Sequence, residues 1–508
     1  MATITGFADS RTERIATSSF VWLGVGLALS MVALGGRWDI PLAAWFAPIF
    51  LLRFTRTSSM PLALGGIVLA LTAQAMGLVA SYGIAFNVQI ALICLTLGVL
   101  YAVPYGLDRI FAGRLGPLGR LFLLPAAAAL LEYLIAMTPT GASLLTRANS
   151  QGENLALLQI ISLLGPYSIG FMIALGATAA NQIWEAPSRQ SWVRYGGSFA
   201  ALMAAVLAYG QARIAYATHG AGPATVRVAG IVPRADLRQP ASDGVTMANF
   251  PPSPAVRSAT TTPEKRVLYA KIQEELIEDT RKAIASGAQL VVWSETAAQM
   301  LESDKAAFLP RIAEVARTGK AYVNIGVGVP FERNETFLFG PDGRQLWHYR
   351  KNNPVPAMEP VAPFKNAPPV VETPFGRLSN VICYDADFPS LSRVRTDVML
   401  VPGWDWKEEA YVHTMKIARL RAIENGYSML RVDYLGVTGA FDAYGRVLGQ
   451  QNTLDGKRNV MYVDLPTQGV RTLYNLTGDL FAWICLAATV ALCFLAASGR
   501  GRRGSIAA

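Results

Sequence analysis

Three residues of types that carry out acyl chemistry each close a strand-like run. Glu295 follows the apolar run Gln289–Trp293, Lys351 follows Gln345–Tyr349, and Cys383 follows Leu378–Ile382. A thiol attacking an acyl carbon needs a base for its proton, a donor for the oxyanion and a rigid turn to stand on. A carboxylate at the mouth of an apolar strand is a candidate base, and a nearby lysine supplies fixed positive charge that also favours the thiolate. Cys94, Cys485 and Cys493 lie inside long apolar stretches, where cysteine acts as a small hydrophobe. The histidines, His219, His348 and His413, are scattered, with no motif-like setting beside the thiol and no metal-ligand spacing. No metal or cofactor is therefore expected.

The elements that must position these residues follow from periodicity. Thr225–Val232 predicts a strand, and Gln239–Pro263, rich in Pro, Ser and Thr, predicts a loop. Glu264–Ser286 and Lys305–Thr318 have helical spacing, with Ala321–Val329 as the next strand. Hairpins follow, Thr336–Phe339 with Gln345–Tyr349 and Val370–Thr373 with Arg377–Cys383. Val398–Val401, a helix over Lys407–Asn425 and the strands Tyr427–Asp433, Val437–Phe441, Arg446–Gln450 and Asn459–Asp464 complete the domain. Strands, helices and hairpins in this order imply a layered α/β fold.

The rest of the chain is too apolar for an ordinary soluble protein: 52% of the 508 residues are hydrophobic and the mean hydropathy is +0.31. About eight apolar segments approach the length that crosses a bilayer. They are Ser18–Leu34, Pro41–Leu52, Pro61–Ser81, Asn87–Pro104, Leu118–Ala136, Leu157–Ala180, Ser198–Ala215 and Leu480–Ala497, the second being short. The division expected is a membrane bundle over 1–218, an α/β domain over 219–475, and a last helix with a basic tail over 476–508. The net charge of +10 does not imply nucleic acid, because arginines cluster at the span ends. Arg11, Arg14, Arg53, Arg56, Arg109, Arg114, Arg120, Arg189, Arg194, Arg500, Arg502 and Arg503 all fall on one face. The positive-inside bias makes that face cytoplasmic and puts the α/β domain on the outer side. Few charges lie within the spans, Glu132 and Asp479 being exceptions, which argues against a transporter or sensor.

The order Glu, Lys, Cys at strand ends resembles the nitrilase (carbon–nitrogen hydrolase) superfamily from His219 to Pro466. The resemblance rests on Trp293-Ser294-Glu295-Thr296, Tyr349-Arg350-Lys351-Asn352 and Ile382-Cys383-Tyr384-Asp385. Ala418–Asn425 and the later Gly436-Val437-Thr438 and Asp442–Arg446 fit too. It implies an αββα sandwich with a Glu295–Lys351–Cys383 triad. With its flanking spans the chain is similar to one membrane branch, the apolipoprotein N-acyltransferases, over nearly its whole length. That likeness implies a monomer in the bacterial inner membrane. Cys383 would take an acyl chain from a phospholipid as a thioester and pass it to the α-amine of a diacylglyceryl-cysteine lipoprotein. It also implies Glu359 as a second essential glutamate and the Tyr384 N–H as an oxyanion donor beside Lys351. Asp385 and Trp404 then take supporting or substrate-facing positions. By its composition the loop Pro354–Pro369, rich in Pro and Ala with Met358 and Phe364, is either a lid dipping into lipid or an ordinary proline-rich connector.

The chain departs from the family pattern in several places. Ser294 stands where proline is usual, Ala357-Met358 replaces a Phe-Gly pair, and Asp385 replaces a glutamate. Gly403-Trp404-Asp405-Trp406 and Asp433-Tyr434-Leu435 replace Asn-rich turns, and a Trp-containing segment is missing after Val232-Pro233-Arg234. These positions surround the triad, so a membrane-embedded amidase or acyltransferase with another acceptor is the alternative expectation.

Overall fold

The computed structural model describes residues 6–499 apart from 85, 139–141, 219–223, 246–248, 250, 357 and 406–410. The basic tail Arg500–Arg503, Ala357 and Trp406 therefore lie outside the described residues. Two compact units are present. One runs through Ile135, then Leu145–Ala212, and resumes at Asp479; the other comprises Ala136–Leu144 and Arg213–Gly478.

In the first unit every expected apolar segment lies on helix: Gly6–Met31, Pro41–Thr57, Met60–Ser81, Val88–Phe111, Pro117–Ala136, Tyr167–Glu185, Ser198–Thr218 and Leu480–Ala497. Among the described residues five spans are long and apolar enough to cross a membrane unaided. The sixth expected span is not a single rod. It is a pair, Leu155–Leu164 and Tyr167–Glu185, bent by 113°. The break falls at Gly165-Pro166, where Gly165 has φ +76°, a conformation costly for other residues. The first helix has a shorter apolar stretch, Ser19–Met31, and the second has only 17 residues. Buried Glu132 is not a bare intramembrane charge: Arg147 lies 3.0 Å from it and the Thr146 hydroxyl donates at 3.1 Å.

The second unit contains two sheets. One has the order β13-β1-β2-β4-β5-β6, with β3 beside β4, and the other β12-β11-β10-β9-β8-β7. The first sheet comprises β1 Thr225–Val232, β2 Leu290–Trp293, β3 Ala298–Gln299, β4 Tyr322–Val329, β5 Arg333–Phe339, β6 Gln345–Arg350 and β13 Asn459–Pro466. The second comprises β7 Val370–Thr373, β8 Gly376–Asn380, β9 Val398–Trp404, β10 Ser428–Tyr434, β11 Val437–Phe441 and β12 Val447–Asn452. Strand alternation divides the apolar residues between two layers. Val226, Val228, Leu290 and Val292 meet Val398, Leu400, Leu430 and Val432 between the sheets. Ala229, Ile231, Val291 and Trp293 face the other way, against the helices Pro263–Ala285 and Lys305–Gly319. Met399, Val401 and Met429 back onto the segment Val412–Asn425. The result is the expected αββα sandwich.

One expectation fails here. Gln239–Pro263 is not simply a loop, for the helices Ala235–Ser242 and Pro254–Thr260 overlap it. Ser253 caps the second by accepting from the Val256 N–H, and Pro254 occupies the first turn, where its missing N–H costs nothing.

Candidate active site

The ends of β2, β6 and β8 converge. Lys351, whose side chain is 1% exposed, places Nζ 2.7 Å from Glu295 Oε1 and 2.5 Å from Glu359 Oε1. Asn334 Nδ2 donates to the same Glu295 oxygen at 2.6 Å, so that oxygen is fully engaged. Glu295 Oε2 is buried and makes no hydrogen bond to the described protein, which leaves one carboxylate oxygen available to a substrate or thiol proton. A glycine in β4 permits this packing. A Cβ on Gly326 would come within 2.1 Å of the Ser294 carbonyl, so only glycine lets β4 run this close to Glu295.

Cys383 begins a tight turn, Cys383–Asp387, with φ +48°. A non-glycine residue in that region costs on the order of 1–3 kcal/mol and persists only where its surroundings hold it. Asp385 supplies part of the hold. Its carboxylate accepts from the N–H of Asn353 at 2.7 Å, the N–H of Asn352 at 3.2 Å and the Tyr349 hydroxyl at 3.0 Å. The nucleophile turn is thereby tied to the chain just after Lys351. Burial raises the Asp385 carboxyl to about 6, against the opposing pull of Lys351 and these donors.

Burial, followed by the Glu295 carboxylate, drives the Cys383 thiol well above its ordinary pKa, and Lys351 and Arg431 do not reverse this. Lys351 does pull the thiol pKa down, as expected, but burial and Glu295 outweigh it, so the thiol keeps its proton at rest. Burial would lower Lys351, but Glu295 and Glu359 together raise it, and it stays cationic. Burial lifts Glu359 to about 7, with Lys351 opposing and Glu295 adding to the rise.

Two further positions lie beside the thiol. Cys383 Sγ is 3.7 Å from the Trp404 carbonyl, and Tyr384 packs with Phe388 and Ala142. Arg431, on β10, was not anticipated. It is fully buried, forks onto both oxygens of Asp405 at 2.9 Å, and donates through Nε to Asp433 at 2.7 Å. It also reaches the Cys383 carbonyl at 3.3 Å and Sγ at 3.6 Å. His413 sits 3.1 Å from Asp387 rather than on the thiol. Burial would lower its pKa, yet Asp387 and Asp405 bring it up to about 9.

The chain is similar to known proteins over most of its length. Residues 255–475 match the carbon-nitrogen hydrolase family, and residues 23–179 match the apolipoprotein N-acyltransferase N-terminal domain. The chain is 26% identical to an apolipoprotein N-acyltransferase of Geobacter metallireducens, covering 72% of each chain. It is 24% identical to one from Bradyrhizobium diazoefficiens, covering 78% of this chain and 76% of that one. The chain belongs to the apolipoprotein N-acyltransferase family of the nitrilase superfamily. An amidase from Nesterenkonia sp. aligns at 18% identity and a TM-score of 0.38, covering 51% of this chain and 95% of its own.

Against that family's pattern, the departures at Asp405 and Asp433 now have partners, because both acids are ligands of Arg431. The signal that could have found Arg431 is a lone charge in the otherwise apolar run Met429–Val432. Among the described residues no group of three or more His, Cys, Asp or Glu is placed to hold a metal ion.

Proposed function

We propose that this protein N-acylates lipoproteins by a two-step thioester reaction. In the first step Cys383 attacks an ester carbonyl of a membrane phospholipid. Glu295 takes the thiol proton, Lys351 and the Tyr384 N–H stabilise the oxyanion, and the lyso-lipid alkoxide leaves with the proton from Glu295. In the second step the α-amine of a diacylglyceryl-cysteine N-terminus attacks the thioester. Glu295 accepts its proton and returns it to the departing Cys383 sulfur. Glu359, hydrogen-bonded to Lys351, holds the lysine in place and keeps the local charge close to balance.

The observation that carries this reading is the meeting of Glu295, Lys351 and Cys383 at three strand ends, in a chain that also has the N-terminal membrane domain of the family. A soluble amidase has no need of such a bundle. An acyltransferase drawing on the bilayer does, because its thioester must be shielded from water. In this reading the protein works as a monomer in the bacterial inner membrane. The unit carrying Cys383 faces the outer side, with the division falling near residues 218 and 475.

The test is to incubate purified protein with phospholipid and a diacylated lipopeptide. Lyso-lipid and triacylated peptide in equal amounts are expected. Release of free fatty acid with no peptide acylation would refute transfer, and full activity in Cys383→Ala would refute the thioester.

A further inference from the structure

Beside the triad lies a cavity of about 280 Å3. Its walls include Val329, Phe331, Val355 and Met358, with Glu359 and Trp404 on the side shared with the active site. Two arginines also line it, and they differ in one respect. Arg333 has carboxylate partners, with Glu302 at 3.2 Å and Glu335 at 3.5 Å. Arg238 is 1% exposed, yet no carboxylate lies within ion-pair distance of it among the described residues.

The surroundings of Arg238 hold a cation without neutralising it. Nη2 donates to the Thr296 hydroxyl at 2.7 Å and Nη1 to the Ser242 hydroxyl, both uncharged acceptors. Its guanidinium lies 4.6 Å from the Trp404 ring centroid and 5.6 Å from that of Tyr434. Buried Nε has no acceptor. Burial lowers its pKa only to about 10, so it remains charged at neutral pH. A buried charge with no counter-charge costs several kcal/mol, and two aromatic faces recover only part of that. Such an arrangement is stable in use when a ligand brings the missing negative charge. A planar guanidinium suits phosphate oxygens in particular.

We infer that Arg238 is the anchor of a phosphodiester subsite that seats the head group of the acyl donor, with the apolar part of the cavity taking lipid chain. This assignment rests on the acyl-transfer reading above. Glu359 does not compete for Arg238, because its oxygens are taken by Lys351 and by the Val355 N–H. A cationic acceptor amine would be repelled from the guanidinium, which leaves the phosphodiester of the donor as the occupant.

The test uses full-length protein in detergent and follows acyl-thioester formation on Cys383 by mass spectrometry. Two donors are compared, phosphatidylethanolamine and the uncharged ester p-nitrophenyl palmitate. In Arg238→Gln the ratio of kcat/KM for phospholipid to that for the neutral ester is expected to fall at least tenfold. An unchanged ratio, whether both rates hold or both fall together, overturns the subsite. Should the variant fail to fold, competition in the wild-type protein decides. Glycerophosphoethanolamine is expected to inhibit acylation by the neutral ester competitively. No inhibition overturns the proposal, and so does inhibition by inorganic phosphate of equal strength, since that marks a free-phosphate site. If the wild-type protein forms thioester from the neutral ester but not from phospholipid, the donor assignment under the proposed function fails instead.

Discussion

Cys383 holds its proton at rest because burial and the Glu295 carboxylate outweigh two nearby cations. In the proposed reaction acylation therefore depends on a base, and Glu295→Gln isolates that dependence. The amide keeps the size of the side chain and can still accept from Lys351 or Asn334, yet it cannot take the thiol proton. Single-turnover acylation is expected to fall by roughly 10²–10⁴-fold, with little change in melting temperature; an unchanged rate would remove Glu295 from the base role. Arg431 offers a contrasting case, since it touches Cys383 and also pairs with Asp405 and Asp433. Arg431→Met leaves that buried acidic pair without its cation and is expected to cost about 3–5 kcal/mol in denaturant unfolding. Arg431→Lys keeps the charge without the fork, so a tenfold or greater drop in acylation with a smaller stability loss is expected. Glu295, Lys351 and Cys383 could be picked out of the sequence because each follows a strand-like run. Arg431 was not, because a single charge within a strand has no spacing of its own, and of its partners only Asp433 is near in the chain while Asp405 and Cys383 lie 26 and 48 residues away.

The elements that carry these residues are fixed by close backbone approaches. β4 can pass the base only because Gly326 has no side chain. Gly326→Ala is expected to displace Ser294 and Glu295, destabilise the fold by about 1–3 kcal/mol, and reduce acylation more than that loss alone explains. A variant with wild-type kinetics would show that the strand end tolerates the shift. The segment behind β9 and β10 contributes a pH dependence through His413. Its folded pKa of about 9 exceeds the ordinary 6.5, so its ion pair with Asp387 stabilises fully below pH 6.5 and is lost as pH rises through 9. The melting-temperature gap between wild type and His413→Gln is expected to be largest near pH 6 and to close by pH 10. A gap independent of pH would contradict this. Most strands were legible from alternation and length, and their order implied a layered α/β fold, whereas the two-sheet sandwich came from the resemblance to the nitrilases. Gln239–Pro263 was misread because Ser253-Pro254 is both a loop signature and a good helix start. The break at Gly165-Pro166 was hidden by the hydropathy on either side of it.

At the scale of the whole molecule, the question is which side of the membrane the chemistry faces, and the membrane unit offers an internal argument. Arg56, near the end of Pro41–Thr57, pairs with Asp108 at 2.7 Å and with Glu185 at 3.2 Å, and Arg120 pairs with Glu185 at 2.5 Å. Arg109 donates to the Ser58 carbonyl at 3.1 Å. Four helix ends are thus gathered at one end of the bundle, and it is the end where the arginines concentrate. The acids found there are already engaged by arginine, and acidic residues carry little weight in setting orientation. The remaining bias from Arg53, Arg114, Arg189 and Arg194 supports the proposal that this end is cytoplasmic. Impermeant maleimide labelling checks the assignment at two exposed positions, Lys457→Cys in the catalytic unit and Arg189→Cys in the bundle. The first is expected to label in intact spheroplasts and the second only after permeabilisation. The opposite pattern would reverse the topology and put Cys383 on the cytoplasmic side. Because a secreted lipoprotein presents its modified N-terminus only on the outer leaflet, that result would exclude it as the acceptor while leaving the thioester chemistry at Cys383 intact.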